Sequence, residues 1–359
     1  MDIFSLGFSV SNLGAKSYQK LLAGLGNPKK AWEGSSAEYE DLGIKGVALA
    51  KFENFRNTFD SNQYIKLLEK EKVQFVSFSD KKYPEALKML PDPPIGIYCM
   101  GNLTFLSENF SIGVVGTRKI TDYGKSTTEF LVEGLVKNNA CIISGLALGV
   151  DASAHRQALE SGGATIAVLA CGVNCCNPSE NYALYREILK KNGLIVSEYP
   201  LSVRPNKGTF LMRNRIIASL SNGVLVTEAA EKSGSLVTAE WGFRLSKKVF
   251  AVPGLINSSM SKGSLSLLKK GAILVTEAED ILKEYNDMPK ISSISEKIRL
   301  KLSENERVIF DLIQNEGIAI DDLTRKTKMS VRGVSVILSN LEIRGLVRSA
   351  SGKWQAVAR

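Results

Sequence analysis

The sequence predicts an α/β fold: an extended Rossmann-like, doubly wound parallel sheet, with a small N-terminal helical domain and a C-terminal winged helix. First, short apolar runs alternate with helical stretches between residues 111 and 286, which is typical of βαβ units on a parallel sheet. Second, several of these runs are apolar nearly throughout, as in strands covered on both faces. Third, the first seventy or so residues show helical spacing, whereas three helices and a hairpin follow the strand-and-helix region.

The first 72 residues have the spacing of short helices, and we assign them to a helical domain of the SAM or helix-hairpin-helix type. Apolar positions recur at helical intervals over 18–32 and 52–68. Between these stretches, Leu42 to Gly46 has the pattern of a helix-hairpin-helix turn, whose glycine amides could face a phosphate. A plain turn between two packed helices fits the same residues at least as well.

Residues 73–286 are assigned to the sheet domain. A strand is expected from Val73, the prolines of Tyr83-Pro84 and Pro91–Pro94 mark a linker, and Ile95–Met100 forms a second strand. Seven further strands are predicted at Ser111–Gly116, Ala140–Gly145, Ala164–Cys171, Gly193–Glu198, Gly223–Ala229, Lys248–Pro253 and Ala272–Glu277.

A charged, serine-bearing segment at 287–301 is expected to be a linker, and residues 302–359 a winged helix. Helices are predicted from Ser303 to Asn315, from Asp321 or Asp322 onward, and from Ser330 to Gly345. The strands Leu346–Ala350 and Trp354–Val357 would then flank a turn at 351–353. Such a domain either contacts duplex DNA through residues 330–344 or docks a protein, and the sequence favours neither.

The composition is that of an ordinary globular protein and excludes a low-complexity, collagen-like or globally disordered chain. The chain has 359 residues, 44% hydrophobic and 23% charged, and a net charge of +9 that weakly suggests a polyanionic partner. It shows neither a cationic leader nor an apolar run approaching the ~18 residues of a membrane span, so we expect a cytoplasmic protein without a membrane partner.

Few residues of the sequence are candidates for holding a metal ion or for catalysing hydrolysis. The single histidine, His155, rules out a site with two histidine ligands and is the only base available to a Ser-His-Asp triad. Three of the five cysteines, Cys171, Cys175 and Cys176, are close in sequence without a second CxxC, so buried reduced thiols are favoured over zinc.

Ligands of open parallel sheets bind beyond the carboxyl ends of the strands. The first strand of the predicted core ends in Gly116, Thr117 and Arg118, which combine close backbone approach with a bidentate phosphate donor. No GxGxxG follows, so no dinucleotide or other cofactor is predicted.

The second such strand ends in Ser144-Gly145, with Asp151 and His155 one helical turn apart in the next helix. A general base with an orienting carboxylate would need a nucleophile, and none is evident. We therefore favour a helix cap by Asp151 and a structural histidine.

The most unusual segment runs from Lys207 to Arg215. It brackets an aromatic residue with basic and amide side chains, the mixture that phosphate attraction and base stacking require: Lys207, Phe210, Arg213, Asn214 and Arg215. A solvated basic helix start with Phe210 in the core is the alternative, but arginines near a helix N-terminus oppose its dipole and favour an anion there. Ser233-Gly234-Ser235 is either a phosphate nest or a flexible turn.

Taken in chain order, these loops resemble the DprA (Smf) family of bacterial DNA-processing proteins from about residue 83 to 285. The motifs that carry the resemblance are Tyr83-Pro84, Asp92-Pro93-Pro94, Gly116-Thr117-Arg118, Ser144 to Ala147 with Gly149 to Asp151 and His155, Ser197 to Pro200, Phe210 with Arg213 to Arg215, Ser233 to Ser235 with Thr238-Ala239, and Val252 to Gly254.

The resemblance implies a non-catalytic homodimer that binds single-stranded DNA and helps load the recombinase RecA in natural transformation or recombination. On the matching positions, Arg118, Lys207, Arg213 and Arg215 would hold phosphates, and Phe210 would contact a base. Small residues would line the same pocket: Ser144, Gly145, Ser233 and Gly234.

Two positions depart from the family pattern: Asn177 to Asn181 lacks a tyrosine and proline before Glu-Asn, and Leu265 stands where an asparagine is usual, beside the expected pocket. The competing interpretation is a nucleotide-binding or nucleoside-monophosphate-cleaving enzyme of a related fold. That enzyme would need a Pro-Gly-Gly loop, where this chain has Pro253-Gly254-Leu255, and a catalytic carboxylate, for which Glu228 is conceivable.

Overall fold

The computed structural model describes residues 1–11, 13–107, 110–285, 302–313, 317–344, 346–350 and 352–356. They form two compact units, Met1–Asp287 and Met288–Arg359. The predicted linker at 287–301 lies outside the described residues.

Six helices form the N-terminal region: α1 Ile3–Val10, α2 Ala15–Leu25, α3 Pro28–Glu33, α4 Ser36–Asp41, α5 Gly46–Thr58 and α6 Ser61–Lys70. Their core is aromatic, with the rings of Phe8 and Phe52 stacked 5.2 Å apart and Trp32 edge-on to both. The helices also pack on the sheet domain, where the Tyr64 hydroxyl accepts a hydrogen bond from the Leu201 amide at 3.0 Å. Residues 1–72 are thus part of the first compact unit.

The Leu42–Gly46 segment is a tight turn between α4 and α5. Gly43 has φ +83°, and its amide donates to the Glu40 carbonyl at 3.0 Å. Ile44 is buried and packs into the helical core. Helix packing alone accounts for this turn, and its contact with a phosphate stays a prediction.

The sheet has nine strands: β1 Gln74–Ser77, β2 Gly96–Gly101, β3 Ser111–Val115, β4 Cys141–Ser144, β5 Thr165–Val168, β6 Leu194–Ser197, β7 Gly223–Val226, β8 Lys248–Ala251 and β9 Ile273–Leu274. All seven predicted core strands are confirmed, although each is shorter than expected because its last residues belong to the loops at the carboxyl edge. The spatial order is β1-β2-β6-β5-β4-β3-β7-β8-β9. Strands β3 to β9 are parallel, and β2 and β1 add an antiparallel edge that the prediction lacked.

Helices cover both faces of the sheet, which confirms the doubly wound fold: α7 Glu85–Lys88, α8 Asp122–Lys137, α9 Val150–Glu160, α10 Tyr182–Lys190, α11 Lys207–Leu220, α12 Ser235–Arg244, α13 Lys262–Lys269 and α14 Ala278–Leu282. On one face, Ile216 and Ile217 of α11 pack with Ala239 of α12 and apolar strand residues. On the other, α8 and α9 pack against the alternate strand residues, including Ile142 and Leu225.

The chain reverses its direction of travel across the sheet beside β3. It passes from β3 to β4, β5 and β6 on one side, and then returns to β7 on the other. The connections on either side of such a switch point diverge to opposite faces, which leaves a crevice at the carboxyl ends of the strands. The fold therefore places a crevice between β3 and β7.

The second unit contains α15 Glu304–Ile313, α16 Ile320–Thr327, α17 Val331–Ile343 and the antiparallel pair β10 Val347–Ala350 and β11 Lys353–Ala356. This confirms the winged helix, whose core includes Phe310, Leu323 and Leu338. Helix α16 begins one residue before the predicted Asp321, after Ala319. Residues 314–316, 345, 351 and 357–359, on which some predicted boundaries fall, lie outside the described residues.

Within the described ranges, no helix has the length and apolar character needed to cross a membrane. All five cysteines are free thiols; Cys99, Cys141 and Cys171 are buried, and Cys175 and Cys176 are half-buried. Among the described side chains, no group of three or more His, Cys, Asp or Glu residues is placed to hold a metal ion.

Candidate nucleic-acid interface

A pocket of about 700 Å³ opens at the carboxyl edge of the sheet, at the switch point. Its walls come from the loop after β3, the start of α11 and the loop before α12. The lining residues are Val115, Gly116, Thr117, Arg118, Lys119, Ala147, Asp151, Asn206, Lys207, Phe210, Leu211, Arg213, Asn214, Ile217, Ala230, Lys232, Ser233, Gly234, Ser235 and Thr238.

The fold brings together most of the residues singled out from the sequence. The following nine line the pocket: Gly116, Thr117, Arg118, Lys207, Phe210, Arg213, Asn214, Ser233 and Gly234. Three others, Ser144, Gly145 and Arg215, do not line it. These three were predicted contacts, and each is held elsewhere by an interaction described below.

Positive charge dominates the pocket. Five cationic side chains line it, against one carboxylate, Asp151: Arg118, Lys119, Lys207, Arg213 and Lys232. All but Arg213 are exposed. Lys119 and Lys232 were missed in the sequence, although one follows Arg118 directly and the other precedes the Ser233-Gly234 turn. This distribution attracts a polyanion.

Arg118 and Phe210 form a pair at the pocket wall. The guanidinium carbon of Arg118 lies 4.9 Å from the centroid of the half-buried Phe210 ring, in a cation-π contact. Phe210 is therefore not a core residue, which was the alternative considered from the sequence. A π-face beside a fixed cation suits a nucleobase and its phosphate.

Helix α11 begins with a capping box. The Asn206 side-chain oxygen accepts from the Thr209 amide at 3.1 Å, and the Thr209 hydroxyl oxygen accepts from the Asn206 amide at 2.8 Å. Of the basic residues, only Lys207 lies in the first turn. The expectation that arginines crowd this N-terminus was wrong, because Arg213 and Arg215 lie in the second and third turns.

Arg213 forms the floor of the pocket and is itself 4% exposed. Its Nη1 donates to the carbonyls of Gly145 at 2.5 Å and Val168 at 2.6 Å, and its Nε donates to Asn214 Oδ1 at 3.1 Å. Burial lowers the pKa of the guanidinium, and the nearby Asp151 opposes that shift. This arginine ties α11 to the ends of β4 and β5.

The turn after β4 lies beneath the pocket. The Asp151 carboxylate accepts from the amides of Gly145 at 3.1 Å and Ala147 at 3.4 Å. A Cβ on Gly145 would lie 2.0 Å from Arg213 Nη1, so the glycine makes room for the guanidinium. The Ser144 hydroxyl donates to the Val114 carbonyl at 2.6 Å. Ser144 and Gly145 thus support the pocket without lining it, contrary to the prediction.

Arg215 is 1% exposed and lies on another side of α11. Its Nη2 donates to Glu198 Oε2 at 2.5 Å, and its Nε lies 3.6 Å from Asp92 Oδ2. The structure therefore corrects the prediction that Arg215 holds a phosphate, since two carboxylates neutralise it inside the protein. Asp92, Glu198 and Arg215 each lie in a motif singled out in the sequence, but the sequence does not show that these three side chains are in contact.

His155 is fully buried, with Nδ1 2.7 Å from Thr165 Oγ1. Burial, and secondarily the charge of Arg213, lower its pKa to about 3. It is a structural histidine, as the sequence favoured. Asp151 is not the predicted cap, however: Gly149, with φ +79°, occupies the N-cap of α9, and Asp151 follows within the first turn.

Glu228 is engaged at the start of α8. Its carboxylate accepts from the Thr121 amide at 2.9 Å and from the Thr121 hydroxyl at 2.7 Å. It is 4% exposed.

Ahead of α12, the Gly234 carbonyl accepts from Asn214 Nδ2 at 3.2 Å, which fixes the Ser233–Ser235 turn against α11. Leu265 is half-buried and is not among the pocket-lining residues.

Comparison with known proteins adds family matches. Residues 74–286 match the family described as DNA recombination-mediator protein A, and residues 298–353 match the DprA winged helix domain. The chain is 32% identical over 363 residues to protein Smf of Synechocystis, covering 91% of this chain and 90% of that protein. It is 39% identical over 212 residues to DNA processing protein DprA of Bacillus subtilis, covering 59% and 71%.

Two solved structures are similar. The X-ray structure of DNA processing protein A from Streptococcus pneumoniae superposes with a TM-score of 0.71 at 34% identity, covering 79% of this chain and 98% of that one. A structure of the Helicobacter pylori protein, described as giving its single-stranded DNA binding mode, has a TM-score of 0.53 at 35% identity, covering 59% and 95%.

Proposed function

The chain belongs to the DprA (Smf) family of DNA-processing proteins, and from this premise we propose that it binds single-stranded DNA in the pocket between β3 and β7. The observation that carries the proposal is the Arg118–Phe210 pair surrounded by Lys119, Lys207 and Lys232. An unpaired base can stack on the Phe210 ring, while the lysines neutralise flanking phosphates.

Binding of this kind has little sequence preference. Stacking on a π-face accepts any base, and lysine contacts to phosphate carry no sequence information. A duplex presents its phosphates but keeps its base faces within the stack, so it forgoes the Phe210 contact. We therefore expect a preference for single strands with a strong dependence on salt.

We further propose that the bound strand is passed to the recombinase RecA, in natural transformation or in recombination, and that the protein acts as a homodimer without catalysing a reaction. The family's description as a recombination mediator supports the first part. The buried, doubly hydrogen-bonded carboxylate of Glu228 supports the absence of nucleotide cleavage, because it is committed to Thr121.

Fluorescence anisotropy of labelled single-stranded and duplex oligonucleotides across a salt series tests the binding proposal. We expect Arg118→Ala/Lys207→Ala to weaken single-strand binding and to make the slope of log K against log salt shallower by about 1.4, since each phosphate contact on a single strand contributes ~0.7. Arg186→Ala/Lys190→Ala removes the same charge from exposed positions of α10 and is the matched control.

Equal behaviour of the two double variants would contradict the pocket assignment. Incubation with nucleoside monophosphates, followed by chromatography for free bases, tests the enzyme alternative; release of a base by the wild-type protein would favour it. For the winged helix, binding of duplex DNA by the full chain but not by residues 1–287 would favour DNA over protein as its partner.

A further inference from the structure

The loop between β8 and α13 exposes two adjacent apolar side chains. Leu255 is 74% exposed and Ile256 is 87% exposed, the highest value among the large apolar residues of the described chain. Single exposed apolar residues are ordinary on protein surfaces. Two side by side at the tip of one loop form a small apolar patch, and such patches are found where proteins contact partners.

Both ends of this loop, residues 253–260, are held by hydrogen bonds, and the second of these bonds joins the loop to the wall of the pocket. Strand β8 neighbours β7, which neighbours β3, so the loop leaves the same edge of the sheet as the pocket. At its start, the Tyr123 hydroxyl of α8 donates to the Pro253 carbonyl at 2.7 Å. At its end, Met260 Sδ accepts from the hydroxyl of Thr117, a pocket residue, at 3.9 Å. The apolar tip is therefore held beside the pocket.

The charge around the tip matches a nucleic acid strand. Residues 253–262 contain no Asp or Glu, and the segment ends in the exposed Lys262 at the start of α13. Lys119 is exposed on the neighbouring pocket wall. A segment that carries an apolar tip and a lysine, and no carboxylate of its own, suits a strand whose bases have apolar faces and whose phosphates are negatively charged.

We propose that Leu255 and Ile256 form a second base-contacting surface, against bases of the strand next to the one on Phe210; this inference rests on the proposed single-strand function. Leu and Ile are among the side chains that proteins insert between bases. In a duplex that insertion costs unstacking of paired bases, whereas a single strand offers its base faces freely. The loop therefore adds to the preference for single strands.

The test compares Leu255→Ser/Ile256→Ser with wild type on two single strands of equal length, one with bases and one abasic. We expect the variant to bind the normal strand about five- to tenfold more weakly, near the lower end of one base contact. We expect it to bind the abasic strand like wild type and to keep the salt slope, because phosphate contacts are unchanged. Met89→Ser, at a residue 78% exposed beyond α7, is the matched control.

Unchanged binding of the normal strand by the loop variant, or equal loss on both strands, would overturn the inference. A molar mass of the loop variant that differs from that of wild type, measured by light scattering, would also overturn it. That result would assign the loop to contact between copies of the chain. Failure of the proposed function would give a different result from failure of this inference. In that case wild type itself would show no preference for single strands, and Arg118→Ala/Lys207→Ala would lose no affinity. If that variant loses affinity while the loop variant does not, only the present inference fails.

Discussion

Phe210 is the residue on which the proposed base contact depends most directly. Its ring faces the pocket beneath the Arg118 guanidinium. We expect Phe210→Leu to weaken single-strand binding about fivefold or more, as stacking contributes ~1–3 kcal/mol per base, and Phe210→Tyr to bind like wild type. Anisotropy titrations at one salt concentration measure both. A leucine variant that binds as tightly as the tyrosine variant would exclude stacking on this ring.

His155 makes stability depend on pH. Its pKa is about 3 in the folded chain against about 6.5 when unfolded, because the buried imidazole stays neutral beside Arg213. The unfolded state therefore takes up a proton first as the pH falls. The stability that this residue contributes is complete above about pH 6.5 and is lost toward pH 3, by about 1.4 kcal/mol per pH unit.

Urea unfolding at pH 7 and pH 5, with wild type and His155→Asn, measures this effect. The chain has one histidine, so the difference between the two proteins isolates it. Burial raises the pKa of Asp151 and of Glu198, and both carboxyls are common to the two proteins. Parallel pH dependence in wild type and variant would show that His155 takes up its proton equally in both states.

At the scale of the element, α11 is held at several points along its length. Asn206 caps its start, Arg213 fixes its middle, and Arg215 joins it to Asp92 and Glu198. At its end, Lys247 donates to the carbonyls of Ser219 and Ser221, and burial lowers the pKa of this lysine to about 8. Lys207 and Phe210 are thereby presented from a fixed helix.

Removal of Arg215 tests its corrected role. Arg215→Ala leaves the half-buried carboxylates of Asp92 and Glu198 without their cation, and we expect it to cost about 3–5 kcal/mol of unfolding free energy. Single-strand affinity and salt slope, measured on the folded fraction, should stay near wild type. Normal stability with a shallower salt slope would instead make Arg215 a phosphate contact.

The sequence predicted the strands well because a doubly covered strand needs a continuous apolar run, and each of the seven runs was present. It predicted the pocket through Gly116, Arg118 and Phe210, whose positions follow from the strand order. It did not show that Arg213 and Arg215 are buried, because a basic residue in a helix looks the same in the sequence whether it faces solvent or carbonyl and carboxylate oxygens from distant segments. Those partners come from β4, β5, β6 and the Pro91–Pro94 segment, and only the tertiary fold brings them together.

At the scale of the molecule, the two compact units have separate cores. We therefore expect a chain of residues 1–287 to fold and to bind single-stranded DNA with the affinity of the full chain, as measured by anisotropy. Loss of binding in the shortened chain, with its thermal transition retained, would place part of the DNA site in the winged helix.

The proposed handover to RecA also belongs to the scale of the whole molecule. On a strand covered by single-strand-binding protein, we expect the full chain to shorten the delay before RecA hydrolyses ATP. We expect Arg118→Ala/Lys207→Ala to leave the delay as long as it is without the protein. The Arg186→Ala/Lys190→Ala control should behave as wild type. A pocket variant that still shortens the delay would separate handover from strand binding in this pocket.

The N-terminal helices pack on the antiparallel pair β1 and β2 at one edge of the sheet. Strand β1 is the last strand on its side of the sheet, and Phe75 and Tyr98 from this pair pack in one cluster with Leu6 of α1 and Leu68 of α6. An uncovered edge strand recruits other chains. The N-terminal helices cover the apolar face of this edge pair. A chain begun at residue 73 would expose Phe75 and Tyr98 beside an edge strand, and we expect it to self-associate there, so that loss of solubility would not report on DNA binding.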